Sequence, residues 1–175
     1  MFQAFDSPGK PVGRANWMAL LARAPLGLLE SALHEHAAGP ARWLRAPETG
    51  LMMVQGRVGG TGERFHLGEV SVTRCALRVG VGADAVDAAD AAVGVAYVLG
   101  RSHRHAQLAA LADALLQDPA QQPALDARLL EPIRCHLRRA QAARQARAAS
   151  TKVDFFTVAR EGGADSAQDA QDAQQ

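Results

Sequence analysis

The hydrophobic period of this chain changes twice, and that switch limits the possible folds more than any other feature. From Asn16 to Leu33 apolar residues recur at helical spacing. From Arg42 to Leu99 they alternate. From Ser102 to Ser150 helical spacing returns. Helices, then strands, then helices predict an α+β fold: an antiparallel sheet of about four strands flanked by N-terminal and C-terminal helices. The 175 residues suffice for one domain with tails. Leu, Ile, Val and Phe amount to only 38 residues, about 22%, and alanine dominates the apolar count. The core is therefore modest, and part of its stability is expected from a partner.

Residues 1–13, with Pro8, Gly9, Pro11 and Gly13, read as a flexible lead-in, residues 14–160 as a single domain, and residues 161–175 as a disordered acidic tail with four acids and no base. Asn16 is a candidate cap for a helix carrying Trp17, Leu20 and Leu21. Pro25 suits the start of a second, with Leu29 and Leu33 on one face. The expected strands are Arg42–Ala46, Leu51–Val58, Phe65–Val79 and Val93–Leu99, with a turn at Pro47–Gly50. Along the third, Val70 and Val72 share one phase, and Cys75, Leu77 and Val79 the other. That flip is explained equally by a bulge near Thr73-Arg74 or by cover on both faces. Ser102 is a candidate cap for a helix with the stripe Leu108, Leu111, Ala112 and Leu115. A last helix spans about 124–150, restarted or kinked at Pro132, with the stripe Leu129, Ile133, Leu137 and Ala140.

Nineteen basic residues against eighteen acidic ones leave a net charge of +1, which makes no whole-chain case for nucleic acid. No run of ~18 apolar residues and no basic-then-apolar start occurs, so neither a membrane span nor a secretory signal is expected. Two cysteines, Cys75 and Cys135, are too few for a disulfide framework, so a cytoplasmic location is expected.

Gly59-Gly60-Thr61-Gly62-Glu63-Arg64 is rich in glycine, which frees backbone N–H groups and permits positive φ, as phosphate nests require. It lacks the Lys-Ser/Thr of a P-loop and no helix follows, so a glycine-rich hairpin turn is the preferred local reading. His34 and His36, and likewise His103 and His105 in a first helical turn, point apart and do not chelate one ion; only in an extended loop would His103 and His105 bind jointly, and no metal site is expected. Glu48, Glu63 and Glu69 are possible acids, but no pattern pairs them, and no catalytic residue is assigned. Arg128–Arg147 holds six arginines and one glutamate, a local +5, which suits an acidic surface or simply a solvated helix face. Asp154, Phe155, Phe156 and Thr157 follow that helix in a segment too short for its own core, and aromatics there are candidate interface anchors.

Arg45–Val79 (RAPETGLMMVQGRVGGTGERFHLGEVSVTRCALRV), Gly94–Leu116 and Ser150–Arg160 (STKVDFFTVAR) together resemble the PhnG family, the small subunits of the bacterial carbon–phosphorus lyase system. The resemblance covers about residues 14–160 and implies work alongside PhnH, PhnI and PhnL. Their reaction replaces the adenine of ATP by an alkylphosphonate at ribose C1. With methylphosphonate the product is α-D-ribose 1-methylphosphonate 5-triphosphate. It further implies a core complex with two copies each of PhnG, PhnH, PhnI and PhnJ. MgATP is then a substrate of the complex, and no cofactor is expected on this subunit.

No catalytic residue carries over with the resemblance, so an accessory, structural role is expected. The alternative is direct phosphate contact at a subunit boundary, through Arg57, Gly59, Gly60, Thr61, Gly62, Arg64, Arg101 and His105.

Overall fold

Two short helices open the fold, and both carry small apolar faces that need a partner to cover them. The computed structural model describes residues 13–36, 41–80 and 91–153. Helix α1 is Arg14–Leu21 and α2 is Leu26–Leu33. They bury Trp17, Leu20 and Leu21, and Leu29, Ala32 and Leu33. Gly13, not Asn16, stands at the cap of α1, with its carbonyl accepting from the Asn16 N–H at 2.8 Å. The helix begins earlier than the capping pattern suggests because Arg14 is drawn into an ion pair with the distant Asp113.

The sheet has three antiparallel strands in the order β1-β2-β3: β1 Ala41–Arg57, β2 Arg64–Val79 and β3 Ala92–Leu99. The four expected strands become three because Pro47–Gly50 is not a turn. The strand runs straight through it, with Glu48 opposite Arg74 and Thr49 opposite Thr73. Pro47, which has no N–H to give a ladder, falls in a register shift between Arg45 and Glu48. β2 has no bulge at Thr73-Arg74, where its pairing with β3 is continuous from Val72 to Val79. The irregularities lie instead between Trp43 and Arg45, between Arg45 and Glu48, and between Val54 and Gln55. Nor is there cover on both faces: the phase flip reflects apolar residues on each face, but the outer one also carries Arg74 and leaves Tyr97 and Leu99 exposed. Cys75 and Leu77 face the helices, and Val72 faces away beside Tyr97 and Leu99.

Helix α3, His103–Leu115, lies on the inner face of β2 and β3. Ser102 caps it, its Oγ accepting from the His105 N–H at 3.2 Å. The helix sits unusually close to the sheet at Gly94. A Cβ there would lie 1.9 Å from the Ala110 carbonyl oxygen, so only glycine fits. After the Asp118-Pro119 stop, α4 (Gln122–Leu125) runs through a π-helical turn, Asp126–Leu130, into α5 (Glu131–Ser150). The π turn immediately precedes Pro132, and such a turn relieves the clash a proline makes with the preceding turn. Leu129, Leu130 and Ile133 complete the core. The chain divides into a unit ending at Ala142 and a second beginning at Ala143, which holds the exposed end of α5.

Asp113, fully buried on α3, joins three elements. Arg14 reaches it with Nε at 3.1 Å and Nη2 at 2.8 Å, and the Trp17 indole N–H donates at 2.8 Å. The Val95 backbone N–H donates at 2.9 Å. Arg14 Nη2 also donates to the Val93 carbonyl at 3.0 Å, and Gln117 donates to the same oxygen at 2.8 Å.

Without the Asp113 carboxylate the Trp17 indole N–H and the Val95 N–H lose their acceptor, and each buried donor left unpaired costs about 1–3 kcal/mol, whereas the half-exposed Arg14 can return to water. Asp113→Ala is therefore expected to lower the unfolding free energy by about 2–5 kcal/mol in urea melts. A loss under about 1 kcal/mol, the scale of an ordinary substitution, would contradict the role given to this carboxylate.

Candidate functional site

β1 and β2 continue together past the end of β3. The last residue of β3, Leu99, pairs with Val72, which on its other side pairs with Gly50. From there Leu51–Arg57 and Arg64–Ser71 form a two-stranded ribbon. At ~3.3 Å per residue the ribbon reaches about 23 Å beyond the third strand.

The expected phosphate-contacting residues divide between the two ends of this ribbon. Arg57 and Arg64 face each other as the last ladder pair at the tip. Gly59, Gly60, Thr61 and Gly62 make the turn between them, with φ of 59° at Gly59 and 83° at Gly60. The Gly62 N–H donates to the Val58 carbonyl at 2.8 Å, and Arg57 Nη1 donates to the Gly62 carbonyl at 3.2 Å. The turn is thus a hairpin tip, as the missing P-loop residues imply.

Arg101 and His105 sit at the base, next to the sheet. Arg101 Nε approaches the Ser71 hydroxyl at 3.4 Å. The His105 Nε2–H donates to the Leu21 carbonyl at 2.8 Å, a bond that ties α3 to α1. His103 and His105 do lie in the first turn of α3 and point to different partners. Asp154, Phe155, Phe156 and Thr157 lie outside the described residues.

A hydroxyl relay holds the ribbon where it leaves the sheet. Thr73 donates to the Gly100 carbonyl at 2.7 Å, so the Thr49 hydroxyl, 2.9 Å away, donates to Thr73. His103 Nε2, 3.2 Å from Thr49, is then the donor to Thr49. On the outer sheet face, Glu48 accepts from Arg45 and, at 2.7 Å, from Arg74. These bonds hold its carboxyl below the usual carboxylate range. Beside this cluster lies a depression of about 300 Å³ lined by Gly50, Met52, Val72 and Tyr97. Sequence reasoning saw Glu48 only as an isolated acid. The usable signal was the Arg45-to-Glu48 spacing together with the arginine in the next strand.

The other reactive side chains are engaged in structure. The Cys75 Sγ–H donates to the Ala106 carbonyl at 3.1 Å, and burial pushes the thiol up to about 11. Two arginines of the basic helix are paired with acids at its start. Arg134 bonds Asp126 at 2.8 Å and Glu131 at 3.1 Å, and Arg138 bonds Glu131 at 2.7 Å. Among the described residues no three His, Cys, Asp or Glu side chains are grouped to hold a metal ion, and no helix is long and apolar enough to cross a membrane.

These features define a small α+β protein that presents surfaces: a projecting ribbon with a cationic tip and an open sheet face. The pattern of the family described as phosphonate metabolism protein PhnG matches residues 12–161, and the chain belongs to that family. It is 38% identical, over 148 residues, to the α-D-ribose 1-methylphosphonate 5-triphosphate synthase subunit PhnG of Rhizobium meliloti (strain 1021). The match takes in 84% of this chain and 88% of that relative.

Because the folded Cys75 thiol titrates above its ordinary value of 9.0, its contribution to stability is complete below pH 9 and lost as pH rises toward about 11. At pH 8 a thiol reagent is expected to spare Cys75 in the native protein and to modify it after unfolding. Equal labelling of Cys75 in both states, read by peptide mapping, would refute its burial.

Proposed function

We propose that this chain is a subunit of an α-D-ribose 1-methylphosphonate 5-triphosphate synthase, with a mainly structural, accessory role in phosphonate breakdown. The observation that carries the reading is its likeness to a named subunit of such a synthase along nearly the whole of both chains. The state of its reactive groups supports an accessory role. Glu48 is bound between two arginines, Asp113 is enclosed by donors, His105 is spent on a backbone carbonyl and the Cys75 thiol is held protonated.

On this reading the reaction replaces the adenine of ATP by methylphosphonate at ribose C1. MgATP is a substrate of the complex, and this subunit holds no cofactor of its own. Its partners are PhnH, PhnI and PhnL, with PhnJ in a core of two copies of each subunit, in the cytoplasm. The nucleosidase-like step belongs to PhnI. Phe155 and Phe156, flanked by Asp154 and Thr157, anchor a partner subunit, since aromatic side chains beyond a terminal helix make effective interface anchors.

Two measurements test this. Adenine release from MgATP and methylphosphonate by the co-expressed subunits is expected to fall to background when this chain is omitted. Undiminished release would defeat the reading. Phe155→Ala/Phe156→Ala is expected to cut co-purification of the partners at least about tenfold, the scale of losing interface anchors. Unchanged yield would remove these residues from the interface.

A further inference from the structure

The ribbon carries more apolar surface than a solvated hairpin tolerates. Leu51, Met52, Met53, Val58, Phe65 and Leu67 are all exposed, Leu51 by 67% and Leu67 by 63%. They occupy both faces. Leu51 and Met53 share the side of Thr49, while Met52 lies on the other side by strand alternation. Phe65 and Leu67 close over Gly56, where an added Cβ would meet Leu67 Cδ1 at 2.9 Å and Phe65 Cζ at 3.4 Å. An isolated two-stranded hairpin is at best marginally stable in water, and an apolar area of this kind marks a contact site.

The distribution selects the occupant. A second copy of this chain laid face to face would cover one side of the ribbon and leave the other in water. Apolar side chains on both sides fit a cleft that encloses the ribbon. The tip adds a charge argument. Arg57 and Arg64 are directly opposed, and like charges in that position repel. An anion between them relieves the repulsion, and guanidinium groups bind phosphate oxygens in pairs. The positive φ values at Gly59 and Gly60 leave the turn backbone open to close approach. A cation pair at the end of an apolar shaft is complementary to a polyphosphate lying at the bottom of a cleft.

We propose that the β1–β2 ribbon inserts into a cleft of the triphosphate-holding subunit of the synthase, and that its tip presents Arg57 and Arg64 to the triphosphate. The proposal rests on the reading of this chain as a synthase subunit. It separates two roles along one element: the shaft assembles, and the tip contacts substrate.

The test uses the complex assembled from this chain and its co-expressed partner subunits. Arg57→Gln/Arg64→Gln is expected to assemble at wild-type yield and to raise the KM for MgATP about tenfold or more with kcat little changed, as loss of charge-assisted phosphate bonds requires. Arg57→Lys/Arg64→Lys should recover part of that loss. Leu51→Ser/Leu67→Ser should reduce partner recovery about tenfold or more, a loss on the scale of interface anchors, with unchanged circular dichroism of the free chain. An unaltered KM in the glutamine variant would overturn the tip assignment. Wild-type assembly of the serine variant would overturn the insertion. So would a serine variant that only converts a self-associated chain to monomer, because a second copy would then be the occupant. Adenine release that does not need this chain at all would defeat the subunit reading itself, an outcome separate from these.

Discussion

The buried carboxylate of Asp113 is the constraint on which the rest of this fold depends. It sits on α3 but takes donors from α1, through Arg14 and Trp17, and from the backbone of β3 at Val95. A charge in that position is tolerable only when every acceptor site is filled. The network therefore holds one arrangement of helix, helix and strand. It also finishes the outer edge of β3, where Val95 gives its N–H to Asp113 and Val93 gives its carbonyl to Arg14 and Gln117. Side chains thus satisfy groups that would otherwise invite another strand. In an alanine-rich core with few bulky residues, such a polar tie specifies what packing alone leaves loose.

That rigid base explains how the molecule can extend a ribbon. Gly94 lets α3 press against the sheet, Cys75 and Leu77 fill the inner face, and the Thr49–Thr73–Gly100 hydroxyl chain fixes β1 and β2 as they leave it. His103 joins the relay from the start of α3, so the ribbon is referenced to the helix as well as to the sheet. Membership in the PhnG family, whose Rhizobium meliloti member is named as a synthase subunit, is consistent with this division between a tied base and an exposed, apolar extension.

Much of the architecture was legible from local rules. The Ser102 cap, the α3 stripe, the Asp118-Pro119 stop and the interruption near Pro132 all occur where residue chemistry places them, because each depends on neighbours within a turn or two. The glycine turn was also legible, since positive φ at Gly59 and Gly60 is a local property. Asn16 and Pro47–Gly50 were misread for one reason. Their local propensities were outweighed by distant partners, Asp113 for the start of α1 and Arg74 with Thr73 for the middle of β1. The candidate phosphate-contacting residues illustrate the same division. Arg57 and Arg64 flank a turn, so their pairing was legible, whereas Arg101 and His105 lie about 23 Å from them along the ribbon, a separation no linear pattern encodes.

The sequence alone determined the fold class, the start of α3 at its Ser102 cap, the helix limits set by prolines, the hairpin at Gly59–Gly62 and the family. These follow from periodicity and from short-range sterics and hydrogen bonding. Only the tertiary structure decided that two expected strands are one, that Asp113 is a buried junction, that Glu48 is paired with both Arg45 and Arg74, and that the apolar residues of β1 and β2 stand exposed on a ribbon. The reason is physical: an alternating strand pattern specifies which side chains share a face but not whether anything lies against that face. Burial is a property of the neighbours, and those are chosen by contacts between residues far apart in the chain.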